Sequence, residues 1–387
     1  MLTRRRESGA VSLFLVIFAM LLITVITVSF LRLMVKDQAA SSVSDLSQSA
    51  YDSAMAGTED AKRELIYYRT VCANGNGAAC ANARSTINSP TCNEGLKDVV
   101  AVNDKGEVPV QQTQSANDKQ LNQAYTCVKM LLDTDDYIGT LPANTSKIIP
   151  LTATGDFTSV TLEWFSAEDI STASKKLNLV SDASPLLLFA KANWPASRPS
   201  LMRSQLIQHG TTFKLADFDN SSATSSDANT LFLYPTGTSG VARTAVNSVD
   251  FARDVRRTPP STPQQIRCSG DLTAGGYACK TTLNLPSPVG DASNRTAYLR
   301  LTSFYNATHF RVSFEDNPGV QFSAVQPSID STGRANDQYR RVQTRVDLVN
   351  NDFAFPEATV DITGNFCKNF VVTDKTADYD DATTCTP

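Results

Sequence analysis

Between Ala10 and Leu31 the chain carries 22 consecutive residues with no charge and no proline, directly after RRRESG. At ~1.5 Å per residue such a run makes ~33 Å of helix, against a hydrocarbon core ~30 Å thick, so it is long enough to span a bilayer. A secretory signal has a shorter apolar core, ~7–15 residues, closed by small residues at a cleavage site. Here Arg32, Leu33, Met34, Val35 and Lys36 come next, so removal of the whole run is not expected. Arg4, Arg5 and Arg6 set the orientation by the positive-inside rule, with the N-terminus in the cytoplasm and the rest outside. A spanning helix is expected over residues 10–36, with membrane lipid as its first partner.

Residues 37–70 contain no proline and a single glycine, Gly57. Val43, Leu46, Ala50, Ala54, Ala61 and Leu65 fall near one stripe at helical spacing, so the helix is expected to run on as an amphipathic extension. The stripe is made mostly of small residues, which suits close approach by a neighbouring helix or sheet. A continuous helix of about sixty residues would measure ~90 Å.

The basic leader ending in Gly9, the apolar helix that starts at once, and the extension AMAGTEDAKREL together resemble the N-terminus of type IV pilin-like proteins. Within that family they are most similar to the PilX-type minor pilins and the large pseudopilins at filament tips. The resemblance covers about residues 1–70. It implies cleavage by a prepilin peptidase between Gly9 and Ala10, handling by an inner-membrane assembly platform, and packing of the apolar helix among other pilin subunits. It also implies that the fifth residue after the cut should be a glutamate in a major pilin. That position is Phe14, and the nearest acid, Glu7, lies in the leader. A lone carboxylate in apolar surroundings is costly unless a partner offsets it, so its loss fits a subunit with a special position better than a repeated one. Without the resemblance, residues 4–36 read as an uncleaved signal anchor.

Eight cysteines, Cys72, Cys80, Cys92, Cys127, Cys268, Cys279, Cys367 and Cys385, all lie beyond the apolar run. An even count in an exported chain reads as disulfides. Spacing does not fix connectivity; neighbour with neighbour is the expected pairing. No C-x2-C occurs and the only histidines, His209 and His309, are far away in sequence, so zinc is not expected. Asp374, Asp378, Asp380 and Asp381, between the last two cysteines, are the candidate cation ligands; Ca2+ would be the ion such oxygens suit, and solvated negative charge is the simpler reading. Asp45, Ser47 and Ser49 match a D-x-S-x-S adhesion-site pattern, but on a helix they cannot converge on one ion.

Residues 71–150 are rich in Asn, Gly and Ala around the cysteines, which suggests a connector of disulfide-tied loops with one short helix near Leu121–Leu132. From about residue 151 the period is two. SVTLEWF and RRVQTRVDL read as strands, AYLRLTSFYNATHFRVSFED as a hairpin, and IDSTGRANDQYRRV as a glycine-containing turn. The segment VQPSIDSTGRANDQYRRVQTRVDL is also similar to a strand–turn–strand ending of large pilin-like ectodomains. The expected organisation is a leader over 1–9, a spanning helix over 10–36, its extension over 37–70, a connector over 71–150, and a β-rich ectodomain over 151–387. The expected class is α+β: a long transmembrane and amphipathic helix, then a mainly antiparallel β ectodomain with disulfide-tied loops.

No G-x-S-x-G, P-loop or G-x-G-x-x-G is present, and with two histidines no hydrolytic constellation can be assembled from the sequence. The formal net charge is −4, with no basic run after the first six residues, so specific nucleic-acid binding is not expected. A non-enzymatic filament subunit is the leading expectation. A membrane-anchored adhesin or ligand-binding surface protein that never enters a filament is the alternative.

Overall fold

The computed structural model describes residues 9–110, 122–171, 173–182, 189–209, 228–251, 263–290, 292 and 295–348. Two helices come first, α1 (Gly9–Ala73) and α2 (Gly77–Ile87). The first seven strands are β1 (Val108–Pro109), β2 (Gln123–Thr134), β3 (Asp136–Leu141), β4 (Ser146–Pro150), β5 (Phe157–Ser166), β6 (Leu201–His209) and β7 (Ala228–Thr236). The remaining seven are β8 (Asn247–Asp250), β9 (Gln264–Arg267), β10 (Tyr277–Val289), β11 (Thr296–Phe304), β12 (Thr308–Ser313), β13 (Phe322–Ala335) and β14 (Gln338–Arg345). The chain is α+β and divides into two units, residues 1–130 with 329–344, and residues 131–328 with 345–387.

In the first unit α1 runs unbroken for 65 residues. No proline interrupts it, and its only internal glycine serves packing. A Cβ at Gly57 would stand 2.6 Å from Ser331 Oγ and 2.8 Å from Val128 Cγ2. The sheet beside it has the order β1-β2-β13-β14. Ala50, Ser53, Ala54, Thr58, Ala61 and Leu65 are buried, whereas Val43 stays half exposed. Contact is backbone to backbone at Gly333, where a Cβ would collide with Ala50 O and Ala54 N. Ser331 Oγ donates to Ala54 O at 2.7 Å and Tyr125 OH to Asp60 Oδ2 at 3.0 Å.

Two expectations fail in this unit. The helix foreseen near Leu121–Leu132 is strand β2 instead. Val128, Met130 and Leu132 are buried while Lys129 and Leu131 are exposed, a period of two that the apolar run LNQAYTCVKMLL disguises. The turn foreseen at the glycine of IDSTGRANDQYRRV lies later, at Asn336 and Asp337, with Asn336 at φ +47°. Gly333 is inside β13, kept free of a side chain by the helix it touches. Residues 71–150 also hold more order than a loop connector, since α2, β1, β2, β3 and β4 all fall there.

The second unit packs two five-stranded sheets around one core, in the orders β3-β12-β5-β10-β8 and β4-β11-β6-β7-β9. Pairing is antiparallel except where β8 joins β10 and β9 joins β7. Phe157, Leu162, Trp164, Phe310 and Val312 face inward from the first sheet, and Leu206, Leu233, Leu299 and Leu301 from the second. The expected hairpin AYLRLTSFYNATHFRVSFED is therefore corrected: β11 and β12 are in different sheets. Tyr305, at φ +76°, turns the chain from one to the other. Asn306 fixes the crossing by donating from Nδ2 to Pro195 O at 2.9 Å and Arg198 O at 2.8 Å.

Candidate functional site

The surface of α1 is the feature with the clearest functional content. Its first half offers apolar side chains to the outside on every face: Phe14 is 74% exposed, and Leu15, Phe18, Leu21, Val25 and Phe30 are all more than half exposed. It is a helix long and apolar enough to cross a membrane. Three of its hydroxyls need no outside partner. Thr24 donates to Leu21 O, Thr27 to Ile23 O and Ser29 to Val25 O, each at 2.8 Å, so these polar groups are satisfied within the helix, as a hydrocarbon environment requires. Gly9 and Ala10 lie in the first turn. Arg4, Arg5 and Arg6 precede the described residues.

The second half of α1 is anchored to its unit. Disulfides join Cys72 to Cys80, between α1 and α2, and Cys92 to Cys127 on β2; a third joins Cys268 to Cys279. Cys367 and Cys385 lie outside the described residues, as do Asp374, Asp378, Asp380 and Asp381. Asn93 acts as a second clamp beside Cys92: its Oδ1 accepts from Val128 N at 2.8 Å and its Nδ2 donates to Gly106 O at 2.7 Å. Asn93 sits at φ +62°, a conformation that asparagine tolerates better than most residues. Only its place next to a cysteine hinted at this role in the sequence.

Glu64 is the residue that sequence reasoning missed. It lies on α1 one position before buried Leu65, is 1% exposed, and neither carboxylate oxygen has a hydrogen-bond partner among the described residues. Burial, and then the nearby charge of Asp98, push its pKa up to about 7. The signal was available: a glutamate on the same stripe as Ala54, Ala61 and Leu65.

The other candidates are occupied by structure. His309 is tied through Nδ1 to Asp169 Oδ1 at 2.6 Å, and that carboxylate also accepts the backbone N–H of Ser166 and of His309. The Asp–His pair holds a strand end, and His309 Nε2 lies 3.7 Å from the exposed carboxylate of Glu168. His209 closes β6, and nothing of its side chain is described. Asp45, Ser47 and Ser49 lie on α1, where Ser47 Oγ accepts from Arg340 Nε at 2.6 Å. Among the described residues no three His, Cys, Asp or Glu gather as a metal set.

A shallow cleft in the second unit is lined by Asp135, Asp136, Arg311, Ser313, Glu315 and Asn317. Its charges are engaged: Arg345 holds Asp136 at 2.9 Å, Lys280 holds Glu315 at 2.7 Å, and Arg311 pairs with Glu163. Comparison with protein-family models, curated proteins and solved structures finds no match for this chain.

Proposed function

We propose that this chain is a minor pilin or pseudopilin, a non-enzymatic subunit of a type IV pilus-like filament that carries its β domain outside, at the filament tip. The observation that carries the reading is α1 itself, a single helix that exposes a span-length apolar surface and continues unbroken into a half gripped by a sheet and tied at its end by the Cys72–Cys80 disulfide. A simple anchor has no need of that continuity, because a flexible linker after residue 36 would serve as well. A helix that must leave lipid and enter a bundle does need it, since force and register then pass along one rigid rod.

Under this reading the arginines orient the chain, a prepilin peptidase cuts after Gly9, and residues 10–36 move from lipid into contact with other subunits. Phe14 leaves the apolar end without a carboxylate to attract a neighbour's terminal amine. Such a subunit would start or end a stack rather than repeat within it.

Mass spectrometry of the N-terminal peptide from membrane-purified protein tests the proposal. Cleavage gives a chain that begins AVSLFLVIF. An intact leader overturns the pilin reading in favour of an uncleaved anchor bearing a ligand-binding ectodomain.

A further inference from the structure

The sequence between the first two cysteines, CANGNGAAC, holds two asparagine–glycine pairs on the exposed link between α1 and α2. Glycine after asparagine removes the Cβ that would otherwise hinder attack by the next backbone nitrogen, so such pairs are chemically labile. The two are held differently. Asn76 is the N-cap of α2: its Oδ1 accepts the Ala79 N–H at 3.1 Å, its backbone carbonyl accepts the Cys80 N–H at 3.0 Å, and its ψ is 92°. A capping bond of this kind is worth about 1 kcal/mol and must break before the side-chain carbonyl carbon can be attacked.

Asn74 is exposed and its side chain makes no hydrogen bond among the described residues. Its neighbour Gly75 lies at φ +74° with nothing within 4 Å of a would-be Cβ. The Gly75 N–H is retained only by a long bond to Cys72 O at 3.4 Å. We propose that Asn74 is a site of spontaneous, selective deamidation. The Gly75 nitrogen bonds to Asn74 Cγ and loses its proton; the Cγ–Nδ2 bond breaks and Nδ2 leaves as ammonia. Water then opens the five-membered imide at either carbonyl, giving aspartate or isoaspartate at position 74. No oxidant or enzyme is required.

The product matters because of where it forms. A new carboxylate at the C-terminal end of α1 opposes the partial negative charge of that helix end. Isoaspartate also adds a backbone atom to the loop closed by Cys72–Cys80, eight residues apart. The last turn of the long helix would loosen with the age of the molecule.

The test uses the full chain in detergent, aged at pH 6 and at pH 9, then reduced, alkylated and cut with trypsin. The peptide from Thr70 to Arg84 contains Asn74, Asn76 and Asn82, so fragment ions compare all three within one molecule. The expected result is a gain of about one dalton, water for ammonia, at residue 74 alone. It should form faster at pH 9, split into two isomers, and vanish in Asn74→Gln. A first gain at Asn76, or no gain at Asn74 under conditions where an unfolded peptide of the same sequence reacts, overturns the proposal.

Discussion

Glu64 shows how much a single position can hide. Its carboxyl is neutral in the fold up to about pH 7, whereas in an unfolded chain it ionises near the ordinary value of 4.5. Below pH 4.5 both states hold the proton and the group adds no pH dependence. As the pH rises through 4.5 to 7 the unfolded state gives up its proton first, so folding loses stability, by roughly 3 kcal/mol when the rise is complete. Glu64→Gln should abolish that slope and leave the first unit more stable at pH 8 than the unaltered chain. Hydrogen-exchange protection of the Ala61–Leu65 amides, compared at pH 5 and pH 8, is the measurement; equal pH dependence in both proteins would refute the assignment. The sequence made the stripe legible through Ala50, Ala54, Ala61 and Leu65, all buried. It did not show that Gly57 and Gly333 are also contact residues, because a glycine in a helix or near a turn carries no sign of what approaches it.

At the scale of elements, what could be read was whatever depends on a residue's own neighbours. The 65-residue helix comes from the absence of breakers, and strands such as β5 and β14 from alternation. What could not be read was which strand meets which. Leu299 and Leu301 alternate as cleanly as Phe310 and Val312, yet the two pairs enter the core from opposite sheets. Alternation states that a strand has an inner face; only the turn between decides whether the next strand lies beside it or across from it. Here that decision rests on Tyr305 and Asn306. Asn306→Ala should remove the side-chain donor from the carbonyls of Pro195 and Arg198, leaving Pro195 O only the Arg198 N–H, at a cost of about 1–3 kcal/mol. Trp194, stacked on Tyr305 at a ring separation of 4.1 Å and buried beneath this crossing, supplies the reporter. A red shift of its emission at denaturant concentrations that leave Trp164 in the main core undisturbed is expected in the variant. Superimposable unfolding curves would show that the crossing does not depend on this side chain.

For the whole molecule, orientation, redox chemistry and folding are one problem. Three arginines precede a span, six cysteines pair in three disulfides beyond it, and among the described residues no cysteine is free. Disulfides of this kind form where the compartment is oxidising and remain thiols in the cytosol. Under the proposed orientation the three arginines also decide whether Cys72 can tie α1 to α2 and Cys92 can tie its loop to β2. Replacing Arg4, Arg5 and Arg6 with Ser should remove the orientation bias and leave part of the population with its C-terminal side in the cytoplasm. In that fraction the cysteines stay reduced. Closing even a loop of about fifteen residues is worth about 3 kcal/mol, so the misplaced chains should be open to protease along the Cys72–Cys127 stretch. A maleimide gel-shift on unreduced membranes measures this directly. In a background with Cys367 and Cys385 replaced by Ser, the chain with its arginines intact should show no shifted band, and the triple variant a shifted, protease-sensitive one. If the triple variant remains unshifted and protease-resistant, orientation is set by the apolar helix and its C-terminal flank, and the three arginines serve the leader alone.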